Sequence, residues 1–235
     1  MRALVLELDS LPSLREATDA ADVDLTAAAT LAELAGVDAV RLGLSPDGKP
    51  VREEDVRDTR RAARRLELRM APGQELVRLA LDVQPHAVLL AAEGSEGRSA
   101  AHPLDLRQGA DGLGAVVRAL REAGMGVAML VSPALESVKA AHAAGASGIE
   151  IYTGSIVDLP APQRRAELQP LGDAARLGAK LGLEVGLGGG LGYRSLPEVL
   201  AACGAAERVA VGRAALTRAL LVGLDRALRD LRALL

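Results

Sequence analysis

Gly186-Leu187-Gly188-Gly189-Gly190-Leu191-Gly192, followed further along by Val209-Ala210-Val211-Gly212-Arg213, is the pair of strings that decides the fold. Each closes a short apolar run of strand type, and each opens onto a segment with helical spacing. Two glycine-bearing turns of this kind near the end of a βα-repeating chain are where a (β/α)8 barrel holds a phosphate group. Without a side chain, backbone N–H groups approach an anion closely, and the helix that follows adds about half a positive charge at its N-terminus. The strings therefore predict a phosphate site at Gly188, Gly189, Gly190 and Gly212, with Arg208 and Arg213 adding charge. The plainer reading of such glycines is a flexible turn.

Outward from these turns, strands are predicted at 3–8, 38–44, 66–70, 86–91, 125–131, 147–152, 183–187 and 206–211. Asp9-Ser10 and Pro12 stop the first strand. Asp24 then caps a helix running to Ala35, with Gly36 as its stop. Further helices are predicted at 52–64, 73–82, 112–123, 134–143, 163–181 (broken or kinked at Pro170), about 195–201, and 213–234. The stretch from Glu93 to Asp111 has no clear period, and a loop of that length in a compact domain is functional or mobile. Strict alternation implies parallel strands with right-handed crossovers. The chain thus reads as an α/β protein, a single (β/α)8 TIM barrel over all 235 residues. A dinucleotide-binding open sheet is disfavoured, because Asp-Ser-Leu-Pro follows the first strand and Tyr193 occupies the third place of a G-x-G-x-x-G pattern.

Composition removes several function classes. Phe and Trp are absent and only Tyr152 and Tyr193 are aromatic, so there is no stacking platform for single-stranded nucleic acid. A net charge of −3 argues against a nucleic-acid surface. No apolar run approaches the ~20 residues that span a membrane. The N-terminus lacks signal-peptide regions, and a lone Cys203 fits a reducing compartment, so the expected location is cytoplasmic. No His/Cys/Asp cluster has metal-ligand spacing, and no metal is expected.

Candidate chemistry lies at the strand ends. Glu7 and Asp9 are two apart on a strand and share a face. They serve either as acid/base or hydroxyl-binding groups at the barrel mouth, or as salt-bridge partners of Arg41 or Arg69. Glu150 sits between Ile149 and Ile151, where a carboxylate is costly unless paired, and its functional reading is weighed against pairing with Arg69. Thr153 offers a hydroxyl at the end of the sixth strand. His86, His102 and His142 read as structural or surface groups, and Cys203 as a small core residue.

The order of several local strings resembles the pyridoxine 5'-phosphate synthase family. They are Glu7-Leu8-Asp9-Ser10 with Leu14-Arg15, Ala71 to Pro85-His86, Glu93, Ile149-Glu150-Ile151-Tyr152-Thr153-Gly154, Gly188-Gly189-Gly190-Leu191 and Val211-Gly212-Arg213. The resemblance implies a (β/α)8 barrel whose extra helices build a homo-oligomer. It also implies the condensation of 1-deoxy-D-xylulose 5-phosphate with 3-amino-2-oxopropyl phosphate, without metal or organic cofactor. Against the family pattern, Gly43 and Gly189 stand where histidines are expected, Arg69 stands for a glutamate, Ser45 for an arginine and Tyr152 for a histidine. Carried onto this chain, proton transfer falls to Glu150, Asp9 and Tyr152, and substrate contact to Glu7, Ser10, Ser45, Arg69 and Thr153. A barrel so altered reads either as a diverged enzyme on a phosphorylated small molecule, or as a silent phosphate-ester sensor or oligomeric scaffold.

Overall fold

The computed structural model describes residues 1–20, 22–92, 101–106, 110–157 and 159–235. The chain begins with β1 (Ala3–Glu7), α1 (Ser10–Thr18) and α2 (Leu25–Leu34), then β2 (Ala39–Gly43) and α3 (Glu53–Ala62). Next come β3 (Leu66–Met70), α4 (Gln74–Val83), β4 (Ala87–Leu90), α5 (Ala110–Glu122), β5 (Gly126–Val131) and α6 (Leu135–Ala143). After β6 (Gly148–Tyr152) follow α7 (Ala161–Lys180), β7 (Glu184–Gly188), α8 (Leu196–Ala202), β8 (Arg208–Val211), α9 (Arg213–Val222) and α10 (Leu224–Arg232). The strands form one closed barrel in chain order, and β8 pairs with β1 from Ala3↔Arg208 to Leu6↔Val211. Every pairing is parallel, which makes this the (β/α)8 barrel that the alternation implied.

Period-2 alternation divides each strand between two environments. Leu4, Leu6 and Leu8, Leu66, Leu68 and Met70, and Ile149 and Ile151 join helix residues such as Ala29, Val56, Leu120 and Leu228 in the main core. The intervening residues turn into the barrel. There Val5, Ala39 and Ala210 form one small apolar cluster, and Leu89, Ala91 and Leu130 form another. The barrel interior also holds charged side chains, with Arg41, Glu67 and Glu150 at their centre.

Three boundaries differ from the sequence reading. Residues after Asp9 form α1 rather than a loop; Pro12 lies in its first turn, where its missing N–H has no helical acceptor to satisfy. α7 is assigned as one helix through Pro170. The C-terminal segment is two helices, because Gly223 takes φ 81° and ψ 156° between them, a conformation open to glycine alone. Asp24 does cap α2, accepting from the N–H groups of Thr26 at 2.8 Å and Ala27 at 3.0 Å. The 93–111 stretch lies largely outside the described residues.

Candidate functional site

A pocket of about 1340 Å³ opens at the C-terminal ends of the strands. One wall carries Glu7, Asp9, Arg69, Glu150 and Tyr152; the other carries Gly189, Gly190, Gly212 and Arg213. Both halves of the predicted constellation therefore share one cavity, as the chain topology requires. β1, β3 and β6 deliver the charged wall, while the β7–α8 and β8–α9 turns deliver the glycines.

The floor is an ion network inside the barrel. Arg41 on β2 reaches three carboxylates: Glu67 at 3.0 Å, Glu150 at 2.8 Å and Glu7 at 3.4 Å. Arg69 holds Glu7 at 2.9 Å and Asp9 at 2.7 Å, and Asp9 also accepts the Gly43 N–H at 2.6 Å. Glu7 thus pairs with both arginines named in the sequence reading, and Asp9 with Arg69. Glu150 pairs with Arg41 and not with Arg69, a correction that follows from facing. Ile149 and Ile151 point out to the helices, so Glu150 faces the barrel axis, where Arg41 crosses.

Burial pushes the Glu7 carboxyl up, but Arg69 and Arg41 outweigh it and leave its pKa below the ordinary 4.5. Asp9 moves the other way: burial and the adjacent Glu7 charge together overcome Arg69 and raise it above the ordinary 3.8. Two neighbouring carboxyls with opposed shifts make a polarised pair, in which Asp9 takes a proton more readily than Glu7.

The glycines make this packing possible. A Cβ at Gly43 would stand 2.5 Å from Arg69 Nη2 and 2.7 Å from Asp9 Oδ2. A Cβ at Gly212 would meet Glu7 Cβ at 2.9 Å, and one at Gly188 would overlap the Glu150 carboxylate. Gly189 has φ +96° with the Tyr152 ring 2.7 Å from where its Cβ would be. Thus Gly43 leaves room for Arg69, and Gly189 leaves room for Tyr152. On the phosphate side, Gly212 is the N-cap of α9 and Arg213 its first residue. A Cβ at Gly190 would lie 3.8 Å from Arg213 Nη2, so cation, helix terminus and glycine turn converge.

Four predicted residues fall elsewhere. Arg208 begins β8, at the opposite end of the barrel from Gly212, and its guanidinium is bound to Glu67 and to Glu184. It cannot reach an anion at the mouth. Thr153 is fully buried; its hydroxyl donates to the carbonyls of Gly188 at 3.0 Å and Gly189 at 2.6 Å, so it secures the β7 turn. Ser45 lies in the turn closed by Gly48 N–H on its carbonyl at 3.0 Å and does not line the pocket. Gly188 gives up its space to Glu150. Ser10 does line the pocket.

The chain's three histidines divide by place, and all three had been read as structural or surface groups. His86 Nδ1 accepts the Leu66 N–H at 3.2 Å at the start of β4, and His142 is exposed on α6. His102, however, lines the pocket with its ring centroid 6.3 Å from that of Tyr152. It is exposed and lies within the aperiodic 93–111 stretch, so no spacing signal could have placed it at the pocket. Cys203 is buried, and burial pushes its thiol up to about 11, which leaves it inert at neutral pH. Among the described residues no cluster of His, Cys, Asp and Glu could hold a metal, and no helix is long and apolar enough to cross a membrane.

Comparison with known proteins gives the chain's relatives. A family model described as "Pyridoxal phosphate biosynthesis protein PdxJ" matches residues 4–235. Pyridoxine 5'-phosphate synthase of Geobacter metallireducens is 36% identical over 233 residues, covering 98% of this chain and 97% of that one. The enzyme of the same name from Geotalea daltonii is 36% identical over 235 residues, covering 98% and 97%. Among solved structures, a 3-hexulose-6-phosphate synthase superposes with TM-score 0.67 at 15% identity, covering 100% of both chains. Tryptophan synthase of Mycobacterium tuberculosis does so with TM-score 0.64 at 17% identity, covering 99% of this chain and 92% of that one. Likeness at that identity speaks for the barrel fold alone.

Proposed function

The chain belongs to the family described as pyridoxal phosphate biosynthesis protein PdxJ, and from that premise we propose that its pocket is the active site of a pyridoxine 5'-phosphate synthase-like condensing enzyme. In this reading a phosphate ester sits against Gly189, Gly190, Gly212 and Arg213. Its reacting carbon faces Glu7, Asp9, Glu150 and Tyr152. The substrates are 1-deoxy-D-xylulose 5-phosphate and 3-amino-2-oxopropyl phosphate, used in the cytoplasm without metal or organic cofactor. The observation that carries the proposal is that the glycine turns and the carboxylate wall line one cavity. Arg69, fixed by Glu7 and Asp9, supplies positive charge to the substrate rather than a base. Asp9 and Glu150, which line the cavity beside Tyr152, supply acid and base.

Purified protein given both substrates is expected to form pyridoxine 5'-phosphate and release inorganic phosphate. Arg213→Glu should weaken phosphate-ester binding by tenfold or more, on the order of 1.4 kcal/mol. A second reading is favoured by one observation: Glu7, Asp9 and Glu150 all rest on arginines. A pocket with its carboxylates so occupied suits a non-catalytic phosphate-ester sensor. Ligand binding without turnover would select that reading, and absence of binding would remove both. A homo-oligomer is also proposed, supported by Leu220 and Leu221, which are 77% and 85% exposed on α9 beside the pocket. Sedimentation of the Leu220→Glu/Leu221→Glu variant, expected to be smaller than wild type, tests it.

A further inference from the structure

We propose that His102 is a catalytic residue of this pocket, carrying protons between the bound substrates at the mouth. The inference rests on the condensing-enzyme reading above and adds to it an imidazole, whose two ring nitrogens let it take a proton and give one back. It is drawn from position. The imidazole lines the same cavity as Asp9, Glu150 and the phosphate turns, and it stands over Tyr152 at a 50° tilt. Its backbone is fixed despite its exposure. Ala92 N–H donates to His102 C=O at 2.9 Å, His102 N–H returns to Ala92 C=O at 3.4 Å, and Leu104 N–H holds Leu130 C=O at 2.9 Å. These bonds tie the segment to the C-terminal ends of β4 and β5, so the ring is presented by the barrel rim.

The other two histidines are excluded by place, one at the bottom of the barrel and one on an outer helix. The four carboxylates of the barrel interior, Glu7, Asp9, Glu67 and Glu150, are each engaged by arginine. Among the described residues His102 is the imidazole that lines the pocket, and it stands outside that network. When an amine condenses with a ketone, the carbinolamine must lose a proton from nitrogen and a hydroxyl from carbon. The neutral ring nitrogen of His102 takes the N–H proton as the C=N bond forms. The resulting imidazolium gives that proton to the departing hydroxyl, which leaves as water and returns the ring to its neutral form. No oxidant, reductant or metal enters this balance. Tyr152, whose space Gly189 provides, sets the ring's lower boundary and acts as a positioning residue.

The test compares kcat, KM and inorganic-phosphate release in wild type, His102→Ala, His102→Gln and the control His142→Gln, with and without added imidazole. His102→Ala and His102→Gln are expected to lose about 10²–10³-fold in kcat with KM little changed. Imidazole should restore part of the His102→Ala rate and none of the His102→Gln rate, since only the alanine leaves a hole of matching size. His142→Gln should match wild type. His102→Ala turning over within threefold of an active wild type overturns the role of His102 and leaves the condensing-enzyme reading standing. Equal losses in KM and binding of inorganic phosphate, without imidazole rescue, overturn it in favour of a structural part. An inactive wild type overturns the condensing-enzyme reading and this inference with it.

Discussion

At the scale of single residues, this site is set by what its glycines permit. Gly43 and Arg69 are a complementary pair, because a Cβ at position 43 and the Arg69 guanidinium claim the same space. A double-mutant cycle should detect this. Gly43→Ala is expected to cost about 1–3 kcal/mol in wild type by overpacking, and less than about 0.5 kcal/mol once Arg69 is Ala. Equal costs in both backgrounds would refute the coupling. The same logic governs Gly189, where positive φ and the Tyr152 ring together forbid a side chain. Sequence reading identified both glycines as departures, but it could not see that Arg69 and Tyr152 fill the room they leave.

Elements follow the sequence where local rules act alone and depart from it where packing intervenes. Asp24 caps α2 as its spacing predicts, because capping needs only three neighbouring residues. α1 was hidden because Pro12 looks like a breaker until it is known to lie in a first turn. α7 keeps Pro170 inside a helix whose buried face includes Leu171, Ala174 and Ala175. Tertiary packing there offsets a missing hydrogen bond that costs ~3 kcal/mol in an unsupported helix. Pro170→Ala is therefore expected to raise unfolding free energy by about 1–3 kcal/mol. Urea denaturation checks this, and a loss of stability would mean the proline ring itself is packed.

Across the whole molecule, the charged interior spans the barrel. Arg41 joins β2 to β1, β3 and β6 through three carboxylates, so truncating it leaves buried Glu150 without its arginine and takes one of two arginines from Glu7 and Glu67. Arg41→Met should cost about 3–5 kcal/mol, read from denaturant midpoints. Acid sensitivity follows from the same network. Burial raises Glu67, but Arg41 and Arg208 outweigh it and hold its pKa below the ordinary 4.5. A carboxyl lowered on folding stabilises the native state above its unfolded value, and that stability is lost as pH falls through the folded value. Thermal melts should therefore fall steeply below pH 4.5 in wild type and less steeply in Glu67→Gln. Equal slopes would show that Glu67 does not drive the acid limb.

The sequence by itself determined the barrel, the glycine turns at the ends of β7 and β8, and the identity of the residues with chemistry to offer. Those depend on period, turn propensity and order along the chain, which neighbouring residues encode. Only the tertiary structure decided which end of a strand each charge occupies and which partner it meets across the barrel. Arg208 moved from the phosphate site to the barrel's far end and Thr153 from the pocket to the support of a turn, while His102, exposed as the sequence reading had it, stands at the pocket rim. Contacts across a closed barrel join residues far apart in the chain, and no local pattern records how far into the barrel a side chain lies or what stands opposite it.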